Sequence, residues 1–201
     1  GSGWFGAGLA LVWTPLLTVA VLMWTRRYAP EAAGSGIPQV IAALHDDIAP
    51  GRASALVSLR LALHKVVLTS AGLLAGLSIG REGPTVQVGA GVMQHARRWL
   101  SPASGIDAHD LMVAGAAAGV AAAFNTPLGG IVFAIEQLTR RRDLQHSNLT
   151  IAAIVLAGLV SISVFGNQSY FGALVVPRLD WSLLGPGVAV ALASGLAGGL
   201  F

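Results

Sequence analysis

The sequence predicts an all-α, polytopic membrane bundle whose helices are broken at mid-depth. Three observations carry this reading. Of 201 residues, 54% are hydrophobic and only 10% are charged, where a soluble domain carries about 25% charged residues. Uncharged runs recur at or near spanning length, at Trp4–Trp24, Val66–Gly80, Leu111–Ile135, Leu149–Pro177 and Ser182–Phe201, and a spanning helix needs about 20 apolar residues. Glycine- and proline-bearing turns interrupt or bound these runs, and the 26 glycines suit a bundle in which small residues let backbones approach.

Taken in order, Trp4–Trp24 is a span in which Pro15 is expected to introduce a kink. Arg26-Arg27 close it, which makes that end cytoplasmic. After the short connection Tyr28-Ala29-Pro30-Glu31 comes Gly34-Ser35-Gly36-Ile37-Pro38, a Gly-rich turn entering a helical stretch that runs to about Asp46. That stretch is too short to span and reads as a half-helix. Ser35 is either a hydroxyl donor to a ligand or a simple N-cap.

Residues 53–79 read as one long helix. Arg60 and His64 share a face four residues apart, and Lys65 opens the uncharged part. An ionisable group in a span is a functional hypothesis by default, with snorkelling to the interface as the alternative. Gly72, Gly76 and Gly80 recur every fourth residue, the pattern of a close packing face.

Gly80-Arg81-Glu82-Gly83-Pro84-Thr85 is the centre of the chain. A carboxylate and a guanidinium sit between two apolar elements, flanked by glycines, and Pro84 predicts a helix beginning near it. A helix start exposes unpaired N–H groups and the positive end of the dipole, which suits an anion. Glu82 is placed to occupy that position, unless Arg81 and Glu82 are only a surface pair in a cytoplasmic turn. The helix runs to about Leu100, ended by Arg97-Arg98. Asp107, His109 and Asp110 open the next helix, which breaks at Phe124-Asn125-Thr126-Pro127, a further interior helix start. The helix that follows ends at Glu136-Gln137, with Arg140-Arg141-Arg142 marking a cytoplasmic end. One span runs from Leu149 to about Gly166, Tyr170–Val176 is expected to lie at the interface, and Ser182–Phe201 is a last apolar run.

Several function classes find no support. There is no metal-ligand cluster, no nucleotide loop and no Ser-His-Asp order, so neither a cofactor nor enzymatic activity is expected. The absence of Cys leaves no disulfide framework. The net charge of +3 fits basic cytoplasmic loops and not nucleic-acid binding. Gly1-Ser2-Gly3 reads as an added tail and the chain stops inside an apolar run at Phe201, so a piece of a longer protein is expected. Broken helices aimed at a midplane site are the mark of transporters built on inverted repeats.

With Gly34-Ser35-Gly36-Ile37-Pro38, Gly80-Arg81-Glu82-Gly83-Pro84 and the run Gly119–Glu136 in this order, the chain resembles the CLC family of chloride channels and proton/chloride antiporters, as the N-terminal half of a bacterial-type member. The resemblance implies a CLC-like inverted-repeat fold, with about 4–177 as the first repeat and about 182–201 as the first helix of the second. It implies a homodimer with one pore per subunit, chloride as substrate with protons as a second partner, and a bacterial inner membrane. By position, Ser35 resembles the serine that contacts the central chloride, and Glu82 the glutamate that gates the outer anion site. By the same resemblance, Lys65 and Arg81 are expected to lend positive potential to the pathway. The helix starts at Gly36-Ile37 and at Gly83 and Thr85 resemble those whose amides face the anions. The segments after Asn125 and after Leu149 match the family's dimer-forming helices, and nitrate-preferring members carry Pro where this chain has Ser35. The antiporters' inner proton-relay glutamate falls at Gln137, with Glu136 beside it. A neutral amide does not relay a proton as a carboxylate does, so proton coupling stays open against passive conduction. A membrane-embedded enzyme using Glu82 and His64, and a non-transporting membrane subunit, are the alternatives from other classes; anion flux separates transport from both.

Overall fold

The computed structural model describes residues 2–45, 49–138, 147–166 and 184–200, and among them every regular element is helical. The chain divides into two units, residues 1–170 and 171–201. In the second, the described residues form α9 (Leu184–Leu200), an uncharged helix.

Helix α1 (Ser2–Tyr28) continues through Pro15 and ends on Arg26 and Arg27. A 3-10 turn, Pro30–Ala32, leads to α2 (Ile37–Ala43). This helix ends three residues short of the predicted Asp46, which lies outside the described residues. The predicted helix over 53–79 is two helices, α3 (Pro50–Leu56) and α4 (Leu59–Leu74). Ser58 takes an extended backbone and caps α4, its Oγ accepting the Leu61 N–H at 3.2 Å, so a local side-chain hydrogen bond outweighs the apolar continuity of the sequence.

The spacing of Gly72, Gly76 and Gly80 also has another cause. Helix α4 stops at Leu74, and Gly76 takes φ +82°. The Leu77 N–H then bonds the Gly72 carbonyl at 3.0 Å and the Gly76 N–H bonds the Leu73 carbonyl at 2.9 Å, a Schellman cap that requires a left-handed residue. The chain folds back over the helix end, and Ile79 Cδ1 comes within 2.5 Å of the place a Gly72 Cβ would take. These glycines end a helix; they do not form a stripe along one.

Helices α5 (Glu82–Ala96) and α6 (Ala108–Phe124) are the centre of the unit. Their crossing is backbone on backbone. A Cβ on Gly89 would strike the Gly115 carbonyl, one on Gly115 the Gly89 carbonyl, and one on Gly119 the Thr85 carbonyl. With no hydrophobic drive between helices in lipid, such close approach supplies the packing. Val40, Val57, Val86, Ala90, Met112 and Val120 fill the core around this crossing. Helix α6 opens where Asp107, His109 and Asp110 predicted a helix start, with Asp107 and Asp110 forming a reciprocal cap, and closes at Asn125, in the left-handed region at φ 52°. Thr126 caps α7 (Pro127–Phe133), accepting the Gly129 N–H at 3.3 Å, and a wider π-type turn follows over Ala134–Leu138. Arg140, Arg141 and Arg142 lie outside the described residues, as do Tyr170–Val176, Asp180 and Trp181. Helix α8 (Ser147–Phe165) packs on α6 and α7 through Ile154, Gly158 and Ser161.

Two described stretches are long and apolar enough to cross a membrane, Gly51–Leu74, counted across the Ser58 break, and Asn148–Phe165. Only 33% and 17% of their most apolar windows are buried, unlike the core helices of a soluble protein.

Candidate anion site

At the three predicted interior helix starts the backbone is packed in part, with Gly34, Ser35, Pro38, Gly80 and Arg81 exposed. Gly36, Gly83 and Pro84 are buried, and Phe124 to Pro127 are half-buried. Bare backbone at membrane depth is tolerated only where it meets protein or lines a cavity.

The Ser35 turn is shaped by two left-handed glycines, Gly34 at φ +83° and Gly36 at φ +109°. Gly36, not Ser35, is the N-cap of α2. The turn is braced by Gln39, whose Oε1 accepts the Gly36 N–H at 3.0 Å and whose Nε2 donates to the Ala33 carbonyl. A Gln three residues after the cap is the reciprocal half of a capping box, a signal present in the sequence. With the N-cap assigned to Gly36, the Ser35 side chain remains exposed along a cavity.

That cavity, of about 520 Å³, is lined by Ser35 from this turn, Lys65 from α4 and Glu82 from the start of α5, with Thr25, Thr69 and Ser78 around them. Three side chains singled out in the sequence, 47 residues apart at the extremes, therefore face one space. Arg81 is not among the residues that line it; this residue caps α5, and its Nη2 reaches toward the Ala123 carbonyl at the end of α6 at 3.5 Å. Glu136 and Gln137 lie exposed on the π-type turn beyond α7 and do not line the cavity either.

Helix α5 starts at Glu82, two residues before Pro84, so Glu82 stands inside the first turn. This changes the expectation for Thr85. Its N–H already bonds the Arg81 carbonyl at 3.0 Å, and its Oγ1 donates to the Glu82 carbonyl at 2.7 Å. The amides without an intrahelical carbonyl are those of Glu82 and Gly83, since Pro84 has none. The Glu82 carboxylate folds back over Gly80, where Oε2 lies 2.5 Å from the position of a Cβ on that residue.

Lys65 is only 2% exposed. Its Nζ donates to the Ala32 carbonyl at 2.8 Å and the Gly34 carbonyl at 2.6 Å. The ammonium thus straps the Ser35 turn to α4, a geometry that spacing alone does not reveal. Sequence reasoning also missed Gln87. This amide is 1% exposed, donates to the Leu56 carbonyl at 2.9 Å and the Glu31 carbonyl at 3.4 Å, and lies against Gly36. As the lone long polar side chain in the small-residue stretch Val86–Val92, it could have been flagged as a buried joint. Asp107, His109 and Asp110 bring potential ligand atoms within 4.8 Å of one another, but each carboxylate accepts the other residue's N–H in the α6 cap, at 2.8 and 3.0 Å.

Residues 17–201 match the family model described as voltage gated chloride channel, and the chain belongs to that family. Among individual proteins it is similar to the H(+)/Cl(-) exchange transporter ClcA of Citrobacter koseri, 36% identical over 157 residues, covering 78% of this chain and 32% of the relative. It is likewise similar to the proteins of that name from Vibrio parahaemolyticus, 35% identical over 156 residues, with coverage of 78% and 32%, and Salmonella arizonae, 36% identical over 157 residues, again 78% and 32%. The chain therefore spans about a third of the length of the curated relatives it matches. It is a polytopic, all-α integral membrane protein of this family.

Proposed function

We propose that this chain supplies the first half of a CLC-type chloride pathway, with Glu82 as its gate. The observation that carries the reading is the convergence of Ser35, Lys65 and Glu82 on one cavity from three separate segments. A dehydrated chloride needs compensating partial charge. The Ser35 hydroxyl and the free amides at Glu82 and Gly83 provide it without a counter-ion that would trap the anion. Ionised Glu82 competes for the same donors, and protonation or displacement by chloride releases them.

On this reading about 4–177 form the first repeat, 182–201 begin the second, and the whole protein is a homodimer in a bacterial inner membrane. Exchange of chloride against protons is favoured by the names of the relatives. Passive conduction is favoured by Gln137, an amide where the antiporters' inner relay has a carboxylate; Glu136 beside it is the alternative relay. The test is reconstitution of the full-length protein in liposomes, with chloride efflux and external pH recorded together. Exchange predicts proton movement opposed to chloride, conduction predicts chloride alone, and no flux above empty liposomes contradicts the pathway itself.

A further inference from the structure

A second cavity lies away from Ser35 and Glu82, at the opposite end of α5. It encloses about 980 Å³ where four segments meet: Ala53 and Ser54 of α3, Ser58 and Leu59 at the α4 start, Gln94 to Arg98 at the α5 end, and the loop from Leu100 into α6. Its lining contains two guanidiniums, Arg97 and Arg98, the His95 imidazole and three serines, and no carboxylate. Among the described residues neither arginine has a carboxylate partner. The nearest acid in sequence, Asp107, has its Oδ1 on the Asp110 N–H within the α6 cap.

The hydroxyls point to the charge of the ligand. Ser58 Oγ accepts from the Leu61 N–H and Ser101 Oγ from the Ala103 N–H. Each oxygen already accepts one N–H, and its O–H remains to donate. Two guanidinium forks and hydroxyl donors around one concavity match an oxyanion that only accepts, and Arg matches a phosphate bidentately. Arginines at a helix C-terminus also complement its dipole, but that role needs neither a cavity nor serine donors. The rest of the lining, Leu59, Leu100, Ile106 and Met112, is apolar. Arg98 stands 4.8 Å above the Trp99 ring, which is 73% exposed, and an exposed Trp beside arginines is the composition of a membrane interface.

We propose that this cavity binds a phosphate group, supplied at the cytoplasmic face by the headgroup of an anionic lipid. The test uses the full-length protein in detergent, with lipid binding counted by native mass spectrometry. Phosphatidylglycerol is expected to bind saturably and more tightly than phosphatidylcholine. Arg97→Gln with Arg98→Gln should weaken it about tenfold, the scale of one or two charge-assisted hydrogen bonds. Ser101→Asp keeps a residue able to cap the following turn but sets a carboxylate at the rim, and should weaken binding with both arginines in place. Arg26→Gln with Arg27→Gln removes another cytoplasmic pair outside the cavity and should leave binding unchanged. Retention of phosphatidylglycerol in excess inorganic phosphate assigns the lipid as source; displacement by inorganic phosphate assigns the free ion, and the phosphate site stands in both cases. Equal binding of the two lipids, or binding unaltered in both cavity variants, overturns it.

Discussion

The carbonyl of Ser35 occupies the place where Gly83 would carry a Cβ, and the carbonyl of Gly83 lies 2.6 Å from the place where Gly36 would carry one. The two Gly-rich turns are thus locked backbone to backbone, and each glycine is required by the other turn. This contact holds the Ser35 hydroxyl beside the start of α5, where the two unpaired amides are. Gly83→Ala must displace main chain, not a flexible side-chain tip. Overpacking of this kind costs about 1–3 kcal/mol. The expected outcome is a lower thermal unfolding midpoint and weaker chloride binding by calorimetry.

Gly80 is a different case, because what fills its Cβ position is the Glu82 carboxylate. Gly80→Ala should leave the fold intact and drive that side chain to another rotamer. On the gate reading, chloride flux at neutral pH rises while the free energy of unfolding stays within about 0.5 kcal/mol of wild type, the usual range of exposed substitutions. Unchanged flux places the carboxylate's observed position outside the gating cycle.

Lys65 carries a strapping role in the structure beside the positive potential that the resemblance implies. A lysine lending potential to the pathway needs only charge, whereas a strap needs donors aimed at Ala32 and Gly34. Lys65→Met removes both and leaves two carbonyls without their partner, at a cost on the order of 1–3 kcal/mol. Hydrogen exchange should then speed up through Ala33–Gly36. Loss of chloride affinity with exchange in that segment unchanged favours potential over strapping.

How much of this was legible depended on whether the signal was local. Proline at Pro38, Pro84 and Pro127 marked three helix starts because Pro tolerates the first turn and little else in a helix. The start of α6 at Asp107 was legible because Asp before an apolar run is a local helix-start signal. The break at Ser58 was not, since one hydroxyl competing with an apolar run leaves no periodic trace. The Gly72-Gly76-Gly80 spacing misled because a helix stripe and a Schellman cap both place glycine near a helix end. Thr85 was misassigned by a two-residue error in where α5 begins, enough to turn a free amide into a bonded one. The Lys65 strap and the Gln87 joint depend on carbonyls 31 to 56 residues away, and such pairings are absent from any local pattern. The family resemblance brought Ser35, Lys65 and Glu82 together in advance, but as roles, not as contacts.

The Asp107 cap titrates. Partial burial pushes its carboxyl up, but hydrogen bonds at Asp110 and the His109 charge outweigh this and hold it below the usual carboxylate range. A group lowered in the folded state contributes stability that is present above its unfolded value, about 3.9, and is lost as pH falls through the lower folded value. Unfolding midpoints should therefore drop in acid below about pH 4 less in Asp107→Ala than in wild type. At neutral pH the same variant should be less stable by about 1 kcal/mol, the typical worth of an N-cap.

The central claim is that ionised Glu82 blocks the anion site and neutral Glu82 leaves it. The direct measurement is chloride efflux from liposomes across a pH series, for the full-length wild type and for Glu82→Gln. The account predicts that wild-type efflux rises as pH falls, and that the variant conducts at every pH with no such dependence. A variant that keeps the wild-type pH profile would make Glu82 a turn residue at the head of α5 and would contradict the account.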